Sequence, residues 1–163
     1  MPPARQRVRG ALLAIVACVA LSAHPAAAGL VVMSGDDADD GRHCLGTACG
    51  ALYPRILSKA MAQSPGERDN PAVGVRAGGV AAFALDGWND PANGGPGADI
   101  DLVTGADIRT VDLNLYRVLY VPSDVKSVDG GITDADLIHL ATRRADIVRF
   151  VNERGGSLVA LTE

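Results

Sequence analysis

The chain is short of aromatic side chains, with six in 163 residues, and short of basic charge. Three of its 15 basic residues fall before residue 29, so positions 29–163 hold 12 against 19 acids, a formal charge of −7. Phosphate neutralisation needs clustered Lys and Arg, so the charge balance argues against a nucleic-acid partner. No apolar run approaches the 18 residues of a membrane-spanning helix. The phosphate-cradling patterns G-x-x-x-x-G-K-[ST] and G-x-G-x-x-G are both missing, as is a G-x-S-x-G nucleophile elbow. With 48% apolar and 21% charged residues the composition is ordinary for a globular chain, which excludes disorder and collagen-like structure; the length suits one domain.

Arg5, Arg7 and Arg9 precede the apolar run Ala11 to Leu21, and Ala26-Ala27-Ala28 follows. This is the pattern of a secretory signal over residues 1–28 with cleavage before Gly29, so an exported domain over 29–163, periplasmic or extracellular, is expected. Ile15-Val16-Ala17-Cys18 also fits a lipoprotein box, although Val19, Ala20 and Leu21 continue the apolar run past Cys18. Cys44 and Cys49 remain in the mature chain, and in an oxidising compartment they are expected to form a local disulfide. A structural zinc site would need more ligands than His43 and His139 supply.

Short apolar runs at Leu30 to Met33, Ala72 to Val75, Ile100 to Val103, Tyr116 to Val121 and Ser157 to Leu161 read as strands, the first of them central. Between them lie expected helices at Ala51 to Gln63, with a stripe of Leu52, Ile56 and Ala60, and at Val80 to Trp88. The longest helix is expected from Asp134 to Arg154, with a capping box at Thr133 and Asp136, a stripe through Leu137, Leu140, Ala141, Val148 and Val151, and Gly155-Gly156 as its stop. Ala106 to Leu115 leaves room only for a turn or short helix. Alternation of strand and helix implies right-handed crossovers and a mostly parallel sheet covered on both faces. The expectation is therefore a flavodoxin-like three-layer α/β domain, and a strand as apolar as Leu158 to Leu161 at its end suggests truncation at the C-terminus.

The order Tyr116-Arg117-Val118-Leu119-Tyr120-Val121-Pro122, a helix closing on Phe150-Val151-Asn152-Glu153-Arg154-Gly155-Gly156, then Ser157-Leu158-Val159-Ala160-Leu161 resembles the class I glutamine amidotransferase-like superfamily. In that family the last strand delivers a nucleophilic cysteine. Here Thr162-Glu163 stands at that place, so the resemblance implies a non-catalytic, ligand-binding or accessory domain, with a small molecule or a downstream domain as partner.

Ser34-Gly35-Asp36-Asp37-Ala38-Asp39-Asp40-Gly41-Arg42-His43 follows the first strand. In a doubly wound sheet the loops beyond the carboxyl ends of the strands share one crevice, so this loop should face Pro122 to Gly131 and the end of the last strand. Convergence of Asp36, Asp37 and Asp124 would raise carboxylate repulsion and favour a divalent cation, Ca²⁺, Mg²⁺ or Mn²⁺, with Ser34, His43, Ser123 and Glu163 as candidate ligand-binding groups. Without a metal, Asp39 and Asp40 would be solvated, and Asp36 or Asp37 would cap a turn or helix. The acidic pair also resembles that of the stationary-phase survival nucleotidases, with Gly35 and Ala38 in place of their Asn and Gly, and this implies a metal-dependent hydrolase as the alternative. Asp129 to Asp136 matches only half of an EF-hand loop and is read as helix capping. His139 is read as a partly exposed helix residue and Trp88 as a packing anchor.

Overall fold

The computed structural model describes residues 28–41, 43, 47–64, 72–75 and 78–161, with backbone alone for 47–49 and 73. The expected leader, the Cys44–Cys49 disulfide and Glu163 lie outside the described residues. Strands β1 (Val31–Ser34), β2 (Ala72–Val75), β3 (Ile100–Val103), β4 (Val118–Val121) and β5 (Ser157–Leu161) are interleaved with helices α1 (Thr47–Gln63), α2 (Gly79–Asn89), α3 (Asp134–Thr142) and α4 (Arg144–Asn152). Every pairing is parallel, in the order β1-β5-β4-β2-β3. The fold is α/β and consistent with the three-layer flavodoxin-like architecture, although flavodoxin itself runs 2-1-3-4-5.

Two cores form, one on each face of the sheet, because β4 alternates its side chains between them. Val118 and Tyr120 join Tyr53, Leu57 and Ala60 of α1 and Leu85 and Trp88 of α2. Leu119 points the other way, among Ile108, Leu113, Phe150 and Val151. A strand buried on both sides must be apolar without alternation, and Val-Leu-Tyr-Val meets that requirement.

The first strand is not central. Among the described residues β1 pairs only with β5 and forms one edge of the sheet. Leu30 and Val32 pack into the α1 side, while Val31 and Met33 are 50% and 67% exposed. A four-residue apolar run satisfies an interior strand and an edge strand equally well. β5, which is more completely buried, takes the inner position between β1 and β4.

The expected helix from Asp134 to Arg154 is two helices that break at Arg143 (φ −96°, ψ 9°). Arg143 donates through Nη1 to the Ile108 carbonyl at 2.9 Å and through Nε to Asp146 at 2.7 Å, so its side chain holds the break from both sides. The break shifts the helical phase, which leaves Leu137 and Val148 exposed and buries Phe150 and Val151, with Leu140 and Ile147 packed against the same core. In α1 the buried stripe is Tyr53, Leu57, Ala60 and Met61 rather than the one through Leu52, which is exposed. The stop at Gly155-Gly156 has a steric cause: a Cβ on Gly156 would sit 2.2 Å from the Phe150 ring. The Gly156 N–H donates to the Phe150 carbonyl at 2.8 Å, turning the chain directly into β5.

Candidate functional site at the carboxyl ends of the strands

The acidic loop leaves β1 in two successive turns, with the Asp40 N–H on the Asp37 carbonyl (2.9 Å) and the His43 N–H on the Asp40 carbonyl (3.0 Å). This three-residue spacing stacks Asp37, Asp40 and His43 on one side. His43 Nδ1 contacts Asp37 Oδ2 and lies 4.0 Å from Asp40 Oδ2. One ligand atom from each of the three falls within 4.8 Å of the others, so this group can hold a metal ion; Asp37 is buried, Asp40 half-buried and His43 exposed.

Asp36 and Asp124 are employed otherwise. Asp36 is exposed, and its Oδ1 accepts from the Ser34 hydroxyl and from the Tyr53 hydroxyl at 2.8 Å, with Ser34 Oγ and Tyr53 Oη 3.1 Å apart. Asp124 Oδ1 accepts from the Lys126 N–H at 2.7 Å, and its backbone bridges to Ile132, so it shapes the loop after β4. Among the described residues Asp36, Asp37 and Asp124 do not form a group at ligand distance. The half-match to an EF-hand is a capping box: Thr133 Oγ1 accepts from the Asp136 N–H and Asp136 Oδ2 from the Thr133 N–H.

The expected meeting of the β1 and β4 loops does occur, but through other residues. Asp39 is completely buried, and its Oδ2 accepts from the Ser123 N–H at 3.0 Å and from the Tyr120 hydroxyl at 3.3 Å. Its other oxygen, Oδ1, has no partner among the described residues; neither has Ser123 Oγ, also buried. Burial and the Asp39 charge both push the Tyr120 hydroxyl well above its ordinary pKa, so Tyr120 remains a donor. Tyr53 is pushed up to about 12, by burial first.

An open groove of about 310 Å³ runs past Asp39 and Ala38 along α2, where Val80, Phe83, Ala84 and Trp88 line it. Trp88 is buried, stacked on Tyr53 (centroids 4.4 Å, 18°) and edge-on to Tyr120 at 6.5 Å, and is thus the packing anchor expected. Phe83 is 79% exposed. The loop after β4 fixes the start of α2: Gly78 N–H donates to the Gly130 carbonyl at 3.0 Å and Ala81 N–H to the Asp129 carbonyl at 3.1 Å. Gly130 has φ +81°, and a Cβ there would meet the Gly78 carbonyl oxygen at 1.9 Å. Groove wall and acidic floor are therefore both tied to the segment after β4.

Asp39 and Phe83 are the residues that sequence reasoning missed. An aspartate in a run of four reads as solvated, and the feature that buries this one, Tyr120 with Ser123, is more than 80 positions away. His139, half-buried, lends its carbonyl to the Thr142 hydroxyl at 2.6 Å. No helix among the described residues is long and apolar enough to cross a membrane. Comparison with family profiles, curated proteins and solved structures finds no match to this chain.

Proposed function

We propose that this is an exported, non-catalytic binding domain for a small organic molecule with a cationic or hydrogen-bond-donating head and an apolar body. The carrying observation is Asp39, a fully buried carboxylate on the groove with one oxygen engaged and the other without a partner. A buried acceptor left unpaired costs about 1 to 3 kcal/mol, more when charged, so a donor delivered to Oδ1 recovers that cost. Asp37 and Asp40 add negative charge beside it, which favours a cation. The exposed face of Phe83 offers apolar and cation–π contact to the rest of the ligand. The resemblance to amidotransferase-like domains that lack the nucleophile supports the same reading, as does the signal-like N-terminus. The test is titration of the folded domain with benzylammonium and its neutral analogue benzyl alcohol, followed by Trp88 fluorescence. Saturable binding of the amine, weakened at least tenfold in Asp39→Asn, is expected. No saturation, or equal affinity in the variant, refutes the reading.

A second reading is a metal-dependent hydrolase, favoured by the Asp37–Asp40–His43 group. Two carboxylates and an imidazole suit Mn²⁺ or Zn²⁺ better than Ca²⁺ or Mg²⁺. At 100 times its Kd such an ion would stabilise the fold by about 2.7 kcal/mol. Under this reading His43→Ala and Asp37→Asn abolish the shift in melting temperature, and Asp124→Asn leaves it intact. An unchanged melting temperature across all four cations removes the reading.

A further inference from the structure

The face that α2 turns to the groove is Val80, Phe83, Ala84 and Gly87, one helical stripe, while Ala81, Leu85 and Trp88 of the same helix are buried in the core. The stripe ends in a residue that the fold does not ask for. Gly87 lies inside the helix without a positive φ, and a Cβ built on it meets no neighbouring atom within 4 Å among the described residues. Neither backbone conformation nor close packing therefore requires glycine, which weakens a helix interior relative to alanine. Gly41 and Gly50, which border the same groove, have the same open space beside them among the described residues. The backbone at Gly87 is nevertheless pinned. Pro91 has no N–H to give to the Gly87 carbonyl, and Asn93 Nδ2 donates to it instead at 2.8 Å.

Side chains on a helix lean towards its N-terminus, so one at position 87 would lie over positions 83 and 84. A leucine or methionine there would pair with Phe83, four residues earlier, and cover its ring. With glycine the ring stays 79% exposed, in a groove bordered by the buried Asp39, whose Oδ1 has no partner among the described residues. We propose that Gly87 is a specificity-determining residue: it reserves the face of Phe83 for an aromatic ring of the ligand, so that the class bound is a small aromatic amine, its ammonium on Asp39 and its ring where a side chain of residue 87 would lie. This rests on the binding reading above and narrows the apolar body to an aromatic one. Two aromatic rings gain edge-on or offset-stacked contact that an aliphatic ring of the same size does not. A groove of about 310 Å³ stands at the lower end of small-molecule sites, which suits a single ring with a short arm.

The experiment is calorimetric titration of the chain with benzylammonium and with cyclohexylmethylammonium, on wild type, Gly87→Leu and Gly87→Ala, with the melting temperature of each. Wild type is expected to prefer the aromatic amine by about threefold. Gly87→Leu, whose side chain occupies the face of Phe83, should weaken benzylammonium by about tenfold without melting below wild type. Gly87→Ala should melt about 1 to 4 °C above wild type and still bind benzylammonium about threefold more weakly, a gain in stability with a loss of binding that a structural glycine would not produce. Should Gly87→Leu fail to fold, the alanine variant alone supplies the comparison. Wild-type affinity for benzylammonium in the folded variants, equal affinity of wild type for the two amines, or a Gly87→Ala chain that melts below wild type would each overturn this inference while leaving the Asp39 reading in place. No saturation of wild type by either amine would overturn both.

Discussion

Replacing Asp39 by alanine and, separately, by asparagine distinguishes its role as an acceptor from its role as a charge. In both variants the buried anion disappears, so any relief from desolvation is shared. Asparagine keeps an oxygen for the Ser123 N–H and the Tyr120 hydroxyl, 3.0 and 3.3 Å from the present carboxylate. Alanine keeps neither contact and leaves two buried donors unpaired. At about 1 to 2 kcal/mol for each, Asp39→Ala should be less stable than Asp39→Asn by about 2 to 4 kcal/mol. For a domain of this size that is roughly 6 to 15 °C in melting temperature. Urea unfolding followed by Trp88, the only tryptophan, measures the difference directly, since Trp88 lies buried against Tyr53.

A double-mutant cycle sharpens the same test. Tyr120→Phe removes one donor and should cost about 0.5 to 1.5 kcal/mol in the wild-type background, but markedly less in Asp39→Ala, where the acceptor has already gone. Equal stabilities of the alanine and asparagine variants, or strictly additive effects of the Tyr120 and Asp39 changes, would mean that the carboxylate does not join the β1 and β4 loops. The acidic floor of the groove would then have to be described differently.

Three further outcomes are expected. Gly156→Ala places a methyl group 2.2 Å from the Phe150 ring and should destabilise by about 1 to 3 kcal/mol; a loss under 0.5 kcal/mol in urea would show that the ring has room to move. Tyr53 and Tyr116 are both pushed up to about 12, chiefly by burial. The unfolded chain then loses these protons near pH 10 while the folded chain keeps them, so stability is complete below pH 10 and falls as pH rises towards 12. Urea midpoints at pH 9, 10 and 11 should decline, less steeply in Tyr53→Phe; a flat series contradicts the burial argument. If the domain is exported as proposed, thiol titration of the unreduced chain should find neither Cys44 nor Cys49 free, and reduction should cost about 2 to 3 kcal/mol; two titratable thiols would refute the expected disulfide.

What the sequence makes legible here is whatever a few neighbouring residues determine. Ala72–Val75, Ile100–Val103 and Ser157–Leu161 are strands at the bounds that their apolar runs mark. The Thr133–Asp136 capping box needs only four residues, and the stop at Gly155-Gly156 only the ring of Phe150 behind it. Strand order is another matter. Nothing within Leu30 to Met33 says that β5 will pair with it, because the choice rests with a strand about 125 positions later.

The break at Arg143 shows the same limit inside a helix. Thr142-Arg143-Arg144 holds no glycine or proline, and the periodicity from Leu137 onward fits one continuous helix. The contact that stabilises the break is the Ile108 carbonyl, 35 positions earlier. Asp39 follows the same logic at the candidate site: its neighbours Asp37 and Asp40 read as an acidic, solvated loop, while Tyr120 and Ser123 bring it under cover. A residue whose environment is built by distant strands is where a single sequence says least, and in a parallel sheet those environments gather at the carboxyl ends of the strands. The surroundings of Asp39 bear on any ligand more directly than the spacing of the aspartates does, because burial is what turns one acceptor among four into an atom that needs a partner.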